Sequence, residues 1–236
     1  MSTTIEGVPR RARRYVLSRR HRRALRKLLL ACGIGYGVAY IVANDVIAAA
    51  MWENYNPIDQ AISELSGTGA PSKDFLMMML PVFSLMVGGF GIGVWKAAGK
   101  TRSLRVTGGI LLAQSVMFPL WLLFPMSSRE ELAAGSGGAN DIGHGVLGAL
   151  ALLFIITEMG FSAAAFGKRF RYFSIAMAIL TVLGGAYMAM SSSAIEAGDP
   201  TPWMGFIERI MYGAWLLWMA VLSVLLLRRD VDAEEL

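Results

Sequence analysis

The sequence predicts an all-α membrane protein, a polytopic transmembrane bundle of six helices with its N-terminus and C-terminus in the cytoplasm. The lengths of its apolar segments and the placement of its basic residues predict this class. Six segments each reach or nearly reach the roughly 20 residues that a helix needs to cross about 30 Å of hydrocarbon. They cover residues 28–51, 75–95, 104–126, 142–166, 172–190 and 208–227. Only 17% of the residues are charged, fewer than the roughly 25% that is typical of soluble domains.

The basic residues predict which side of the membrane each connection faces. Once the six segments are threaded through one bilayer, all but three of the 22 Lys and Arg residues fall on one side. The exceptions are Lys73, Arg129 and Arg209. Short connections rich in Lys and Arg stay in the cytoplasm. The sequence therefore predicts that the more acidic connections, after the first, third and fifth spans, face outward.

The chain divides into a basic cytoplasmic arm (residues 1–27), a transmembrane domain (28–227) and a cytoplasmic tail (228–236). A polybasic segment beside a span is drawn to anionic lipid headgroups and fixes the orientation of that span. Nucleic acid would attract the same arginines, but the adjoining bilayer explains them without a further partner. A signal peptide cleaved near residues 48–50 is a rival interpretation, although both the basic region and the apolar run are long for one.

Within the spans, small residues and prolines predict how the helices pack. Gly33 and Gly37, like Gly89 and Gly93, have the four-residue spacing that lets helices approach closely in lipid. The single cysteine, Cys32, cannot form an internal disulfide and is interpreted as a packing residue. Two prolines at similar depth, 81 and 119, can bend their helices and open an outward cavity, or be accommodated without one. Residues 114 and 115, a Gln and a Ser, are interpreted as an interhelical hydrogen bond.

The first outward connection predicts a short interfacial helix at about residues 57–65. Asn56 can cap it and Pro57 can occupy its first position. Ile58, Ala61, Ile62 and Leu65 would form an apolar stripe, with Ser63 and Glu64 on the polar face. Such a helix lies either on the lipid or over the mouth of the bundle as a lid.

Ionisable residues from several segments gather near the outer ends of the spans. Asp45, Asp141, His144 and Glu208 all come within about 10 Å, two helical turns, of that interface. Charges in this zone are costly unless they meet water, a partner or a ligand, so these residues are candidates for a functional site. The structural alternative is that Asp141 and Glu208 stabilise helix N-termini, while Arg209 pairs with Asp45 or Asp141.

The same residues are the candidates for chemistry. Asp141 and His144, three apart on one helix face, can act as an acid–base pair or as metal ligands together with Glu208. A single available histidine without HxxH or HExxH spacing is a weak zinc pattern, and the carboxylates suit a hard divalent cation better. We therefore expect no cofactor and leave a divalent cation open. Glu158 is expected to extend to the cytoplasmic interface.

Three motifs carry a resemblance to a known family. They are YNPIDQAISELSGTGAP after the first span, Asn140-Asp141 with His144 at the start of the fourth, and Glu208-Arg209 at the start of the sixth. The chain resembles the six-span prokaryotic membrane family catalogued as domain of unknown function 998. The resemblance implies a bacterial or archaeal multi-span fold and draws attention to Ser63, Glu64, Asp141, His144, Glu208 and Arg209. It implies no particular reaction.

Three functions remain open at this point. The first is a binding module of the prokaryotic inner membrane, whose outward polar site takes a cation, a lipid headgroup or an envelope partner. Its ligand-binding residues would be Asp45, Ser63, Glu64, Asp141, His144, Glu208 and Arg209. The second is an outward-facing hydrolase or transferase of an envelope lipid, for which the sequence offers no GxSxG nucleophile. The third is a small-solute transporter, which the nearly apolar midplane disfavours. A homo-oligomer is compatible with all three.

Overall fold

The computed structural model describes the backbone of residues 10–235 and the side chains of residues 21–229. In this part of the chain every regular element is a helix, and six helices are long and apolar enough to cross a membrane. They are α1 (Arg10–Ile41, continued by a π-helical segment Val42–Ala48), α2 (Lys73–Ala97), α3 (Arg102–Met117, continued by a 3-10 helix Phe118–Leu122), α5 (Ala139–Ser162), α6 (Lys168–Glu196) and α7 (Met204–Glu235). A short helix α4 (Arg129–Ala133) lies between α3 and α5. The predicted all-α, six-span class is confirmed.

The connections alternate between the two ends of the bundle. We call the end that carries residues 49–72, 123–138 and 197–203 the acidic end, and the opposite end the basic end. The predicted domain boundaries at residues 27 and 227 do not coincide with helix ends, because α1 and α7 run through them without a break. Residues 1–9 of the predicted arm lie outside the described residues.

The predicted interfacial helix at 57–65 has a different form. Residues 57–60 form turns, and a 3-10 helix covers Ile62–Ser66. The side-chain oxygen of Asn56 accepts a hydrogen bond from the Ile58 amide at 3.0 Å, and Ala61 is extended, with ψ of 152°. The bond to Asn56 is the hydrogen bond of a helix N-cap, and one turn follows it, in which the Gln60 amide donates to the Asn56 carbonyl at 2.8 Å. The extended Ala61 ends that turn. The stripe is nevertheless buried at Ala61, Ile62 and Leu65, so the segment folds over the bundle rather than onto lipid.

Close contact between α1 and α2 depends on small residues. A Cβ atom added at Gly93 would lie 2.9 Å from the Leu30 amide nitrogen, so the two backbones touch at this point. Cys32 lies beside Gly89, with its sulfur 3.3 Å from the position of an added Cβ. The predicted packing roles of these residues are confirmed.

Irregular backbone interrupts α1 and α3 near the acidic end. Pro119 lies in the 3-10 helix that follows α3, and its missing N–H leaves the carbonyl of Ser115, four residues earlier, without its helical donor. The hydroxyl of Ser84 on α2 donates to that carbonyl at 2.8 Å. In the π-helical segment, the Asn44 side-chain amide donates to the Tyr40 carbonyl at 3.0 Å. Such π-helical insertions often occur at functional sites, and this one was not predicted.

Candidate functional site

Residues 56–66, which we call the cover, close the bundle at the acidic end. The start of α7 holds the cover by its backbone: the Phe206 amide donates to the Ile58 carbonyl at 3.0 Å. The amide of Trp203 and the hydroxyl of Thr201 donate to Asp59 at 2.9 Å each. A Cβ atom at Gly205 would come within 2.0 Å of the Gln60 carbonyl oxygen. The cover and α7 therefore meet at a distance that only glycine allows.

An ion pair between α7 and the π-helical segment fixes one side of the cover. Arg209 Nε donates to Asp45 Oδ1 at 2.8 Å, the first of the two partners that the sequence suggested. The guanidinium also donates to the Pro57 carbonyl at 2.8 Å and to the Tyr55 hydroxyl at 3.0 Å. Burial raises the pKa of Tyr55 to about 12, although the hydrogen bond from Arg209 opposes this by favouring the phenolate.

A second ion pair fixes the other side of the cover, and the sequence reasoning missed its cation. Arg129, at the start of α4, donates to both carboxylate oxygens of Glu64 at 2.7 and 2.8 Å and to the Asp59 carbonyl at 3.0 Å. The bond to Glu64 raises the pKa of the arginine. Glu64 is buried, with 6% of its surface exposed, contrary to the predicted polar face. Arg129 gave no sequence signal beyond being one of three cations among acidic connections.

Beneath the cover, a cavity of about 110 Å³ extends from the acidic end into the bundle. Ser63 and Ser66 of the cover line its outer side, and α1, α2, α3, α5 and α7 form its walls. Phe118, next to Pro119, lines the wall that α3 contributes. The cavity thus lies where Pro119 and the π-helical segment interrupt regular helices, whereas α2 continues through Pro81.

Aromatic side chains form most of the inner wall. Tyr36 and Trp215 meet edge to face with ring centroids 5.4 Å apart, and Tyr40 and Tyr212 stack at 5.4 Å. Phe83 packs against both Tyr36 and Tyr40 at 5.6 and 5.8 Å. These rings bring large, polarisable faces into one small space.

Besides Asn44, the polar side chains Gln114, His144 and Glu208 of the spans line the cavity. Gln114 is 2% exposed, and its Oε1 has no hydrogen-bond partner. Glu208 is 5% exposed, and its Oε2 accepts a hydrogen bond from the Ile62 amide at 2.5 Å. His144 lies with Nδ1 3.0 Å from the Phe124 carbonyl oxygen. Because a carbonyl only accepts, Nδ1 carries the proton, and Nε2 of a neutral ring is an acceptor.

The candidate residues near the outer ends fall into separate groups. Asp141 accepts hydrogen bonds from the amide and hydroxyl of Ser127, at 2.8 Å each, and from the Gly138 amide at 3.0 Å. Asp45 and Arg209 pair with each other, as Glu64 does with Arg129. Of the seven predicted binding residues, the cavity is lined by Ser63, His144 and Glu208. The predicted single cluster is therefore divided among four sets of partners.

The arrangement does not assemble the predicted metal site. Among the residues that the structure describes, no group of three or more His, Cys, Asp or Glu side chains is placed to hold a metal ion. Asp141, His144 and Glu208 therefore do not converge as ligands. The hydroxyl of Ser63, a candidate nucleophile, donates to the Met126 sulfur at 3.5 Å and not to a base.

Glu158 lies deeper in the bundle and contradicts its predicted position. Its side chain is fully buried, at 0% exposure, and Oε2 accepts a hydrogen bond from Trp215 Nε1 at 3.0 Å. The other oxygen, Oε1, has no partner. The side chain was expected to extend to the interface, but the indole of Trp215 holds it inside.

Comparison with known proteins places the chain in a family. A family model described as protein of unknown function (DUF998) matches residues 17–225. A search of curated proteins and a search of solved structures found no match. The matched residues include all of the cavity, the cover and both ion pairs, and they span most of the chain. The chain therefore belongs to the DUF998 family of membrane proteins.

Proposed function

We propose that this protein is a membrane-embedded binding protein that holds a small polar ligand or a lipid headgroup in the cavity beneath the cover. One observation carries the proposal: the buried Gln114 amide borders this cavity with an acceptor that nothing in the described protein satisfies. Leaving such a group unpaired costs about 1–3 kcal/mol. A ligand that donates to Gln114 would remove that cost.

The composition and size of the cavity support a ligand rather than a structural defect. Small-molecule sites are lined mainly by apolar and aromatic side chains with a few convergent polar groups, and this cavity has that composition. Its volume of about 110 Å³ is below that of an apolar cavity of roughly 150 Å³ that binds benzene. A small solute or the terminal group of a lipid headgroup fits this volume, whereas a whole lipid does not.

The direction of access follows from the charges. Because connections rich in Lys and Arg stay in the cytoplasm, the acidic end faces outward, and a ligand approaches the cover from outside the cell. The resemblance to a prokaryotic family supports an inner-membrane location. The ion pair between Arg129 and Glu64 and the hydrogen bond from Arg209 to the Pro57 carbonyl hold the cover over the cavity, and we expect residues 56–66 to move when the ligand exchanges.

Binding is better supported than hydrolysis or transport. Asp141 and His144 hydrogen-bond to neighbouring loop groups rather than forming an acid–base pair with a nucleophile. Transport would require a path to the basic end, and the polar lining of the cavity is concentrated towards the acidic end. A binding role needs only the cavity and a cover that opens.

Native mass spectrometry of the full-length protein, released from native membranes in mild detergent, tests this proposal. Ala151 lines the cavity, whereas Ala149 on the same helix is exposed. We expect wild type and Ala149→Leu to retain a bound small molecule or a lipid that resists delipidation. Ala151→Leu fills the cavity and should lose it. Absence of any retained molecule in wild type, or its undiminished retention by Ala151→Leu, would overturn the proposal.

A further inference from the structure

We infer that the ligand is an ammonium cation of headgroup size, held between the aromatic rings and Glu208. The inference rests on the proposed function, because it names the chemical class of ligand for the same cavity. Three properties support it: the sign of the charge, the aromatic wall and two hydrogen-bond acceptors, on Gln114 and His144.

The charge of the lining favours a cation. Glu208 lines the cavity, and no Lys or Arg does so in the described part of the chain. Arg209, the next residue, directs its guanidinium to Asp45, Pro57 and Tyr55 instead. The Ile62 amide occupies only Oε2 of Glu208, so Oε1 is available to a ligand. A phosphate or carboxylate would meet the Glu208 carboxyl group without a Lys or Arg of the cavity lining to bind it.

The aromatic wall has the composition that binds ammonium groups. Tyr36, Tyr40, Tyr212 and Trp215 line the cavity from two facing helices, α1 and α7. Ring faces attract cations electrostatically, most strongly for Trp, with about 0.5–2 kcal/mol per contact depending on desolvation. Trp215 also donates its indole N–H to Glu158, which places a second carboxyl group at the edge of the ring. Aromatic cages built from Tyr and Trp recognise quaternary ammonium ligands, and these four rings supply the same residue types.

Two further polar atoms of the spans are acceptors. Gln114 Oε1 is unpartnered, and Nε2 of His144 is an acceptor when Nδ1 donates to Phe124. A ligand with a hydroxyl or N–H group next to its cationic centre satisfies both charge and hydrogen bonding. With about 110 Å³ available, a trimethylammonium group, which has one nitrogen and three methyl carbons, fits the space.

A pair of isosteric probes isolates the charge. Choline and 3,3-dimethylbutan-1-ol have the same shape, but only choline is cationic. Binding of each to full-length protein in nanodiscs of phosphatidylglycerol is followed by tryptophan fluorescence, since Trp121 and Trp215 line the cavity. We expect choline to bind at least about tenfold more tightly, which corresponds to the combined effect of the rings and Glu208.

Matched variants identify the residues that cause the preference for choline over its neutral isostere. Glu208→Gln retains an acceptor for the Ile62 amide and should remove most of the preference for choline, whereas Glu196→Gln, at an exposed acid near the same end, should keep it. Tyr212→Leu provides a second test if Glu208→Gln fails to fold. Equal binding of the two probes to wild type, or an unchanged preference in both Glu208→Gln and Tyr212→Leu, would overturn the inference.

The outcomes also separate this inference from the proposed function. If Ala151→Leu weakens two probes that bind wild type equally, the cavity binds ligands without selecting cations. If neither probe binds while native mass spectrometry retains a ligand that Ala151→Leu displaces, the cation inference alone fails. Nanodiscs of phosphatidylcholine distinguish the source: weaker apparent choline binding there indicates that lipid headgroups compete for the cavity, and unchanged binding indicates a free solute.

Discussion

The hydroxyl of Ser84 donates a hydrogen bond to the carbonyl oxygen of Ser115 at 2.8 Å, across the contact between α2 and α3. That carbonyl lacks its helical donor because Pro119 stands four residues later. The pair thus compensates for the interruption of α3 that contributes Phe118 to the wall of the cavity. A serine on one helix supports an irregularity on another.

A double-mutant cycle tests this compensation. Ser84→Ala should cost about 1 kcal/mol of stability, since it leaves a carbonyl unpaired inside the bundle. In a Pro119→Ala background the restored N–H can satisfy Ser115, so the same change should cost clearly less. Thermal unfolding in detergent measures both. Thr157→Ala, whose hydroxyl bonds within its own helix, is the control; identical costs for Ser84→Ala in the two backgrounds would refute the compensation.

The ion pair between Arg129 and Glu64 should contribute strongly to closing the cover. Arg129→Met leaves a carboxylate that is only 6% exposed without its cation, which should cost about 2–4 kcal/mol. A chain of this size would then unfold roughly 4–16 °C lower. Adding Glu64→Gln should restore part of that loss because the unpaired charge disappears. Glu130→Gln, at an exposed neighbour, should change little; a double variant no more stable than Arg129→Met would contradict this explanation.

Because the cover contacts α7 at Gly205, we expect alanine to have very different effects on stability at two glycines of this helix. Gly205→Ala would place a methyl group 2.0 Å from the Gln60 carbonyl oxygen, whereas a methyl group at Gly213 meets nothing within 4 Å. We expect Gly205→Ala to destabilise the protein by about 2 kcal/mol or more and to expose the cover to limited proteolysis. Gly213→Ala should be neutral or stabilising. Similar proteolysis of the two variants would show that the close approach is unimportant.

The raised pKa of Tyr55 predicts that the free energy of unfolding falls at alkaline pH. Below pH 10 the Tyr55 phenol is neutral in both the folded and the unfolded chain, so the interactions of Tyr55 contribute fully to the free energy of unfolding. Because its folded pKa is raised from 10.0 to about 12, the unfolded chain loses the proton first, and stability falls as the pH rises between these values. The loss should reach up to about 3 kcal/mol. Chemical unfolding at pH 9, 10.5 and 12 should show a smaller decline for Tyr55→Phe; equal declines would refute the pKa assignment.

The spans were predictable from sequence because apolar length and charge asymmetry are properties of the chain itself. The partners of individual side chains were harder to predict from the sequence. Arg209 could be assigned to one of two carboxylates because both lie near the ends of neighbouring spans, and the structure selects Asp45. Arg129 and Glu64 lie 65 residues apart in connecting segments, and no periodicity links such positions. Gln114 was interpreted as an interhelical hydrogen bond, but the structure leaves its oxygen unpaired beside a cavity.

The π-helical segment was missed for a related reason. Val42–Ala48 has no proline or glycine, so its sequence is compatible with a regular helix. Its widened turn brings Asn44 to the cavity and Asp45 to Arg209. These contacts are tertiary, so the local sequence pattern does not predict them.

Cysteine labelling in intact cells tests the central claim, an internal cavity reached from outside beneath an outward-facing cover. In a Cys32→Ala background, Ser66→Cys places one thiol at the cavity and Lys100→Cys places one at the basic end. We predict that a membrane-impermeant methanethiosulfonate modifies the Ser66→Cys variant in intact cells, whereas the Lys100→Cys variant reacts only after lysis. Modification of the Lys100→Cys variant from outside, with the Ser66→Cys variant protected until lysis, would contradict the account.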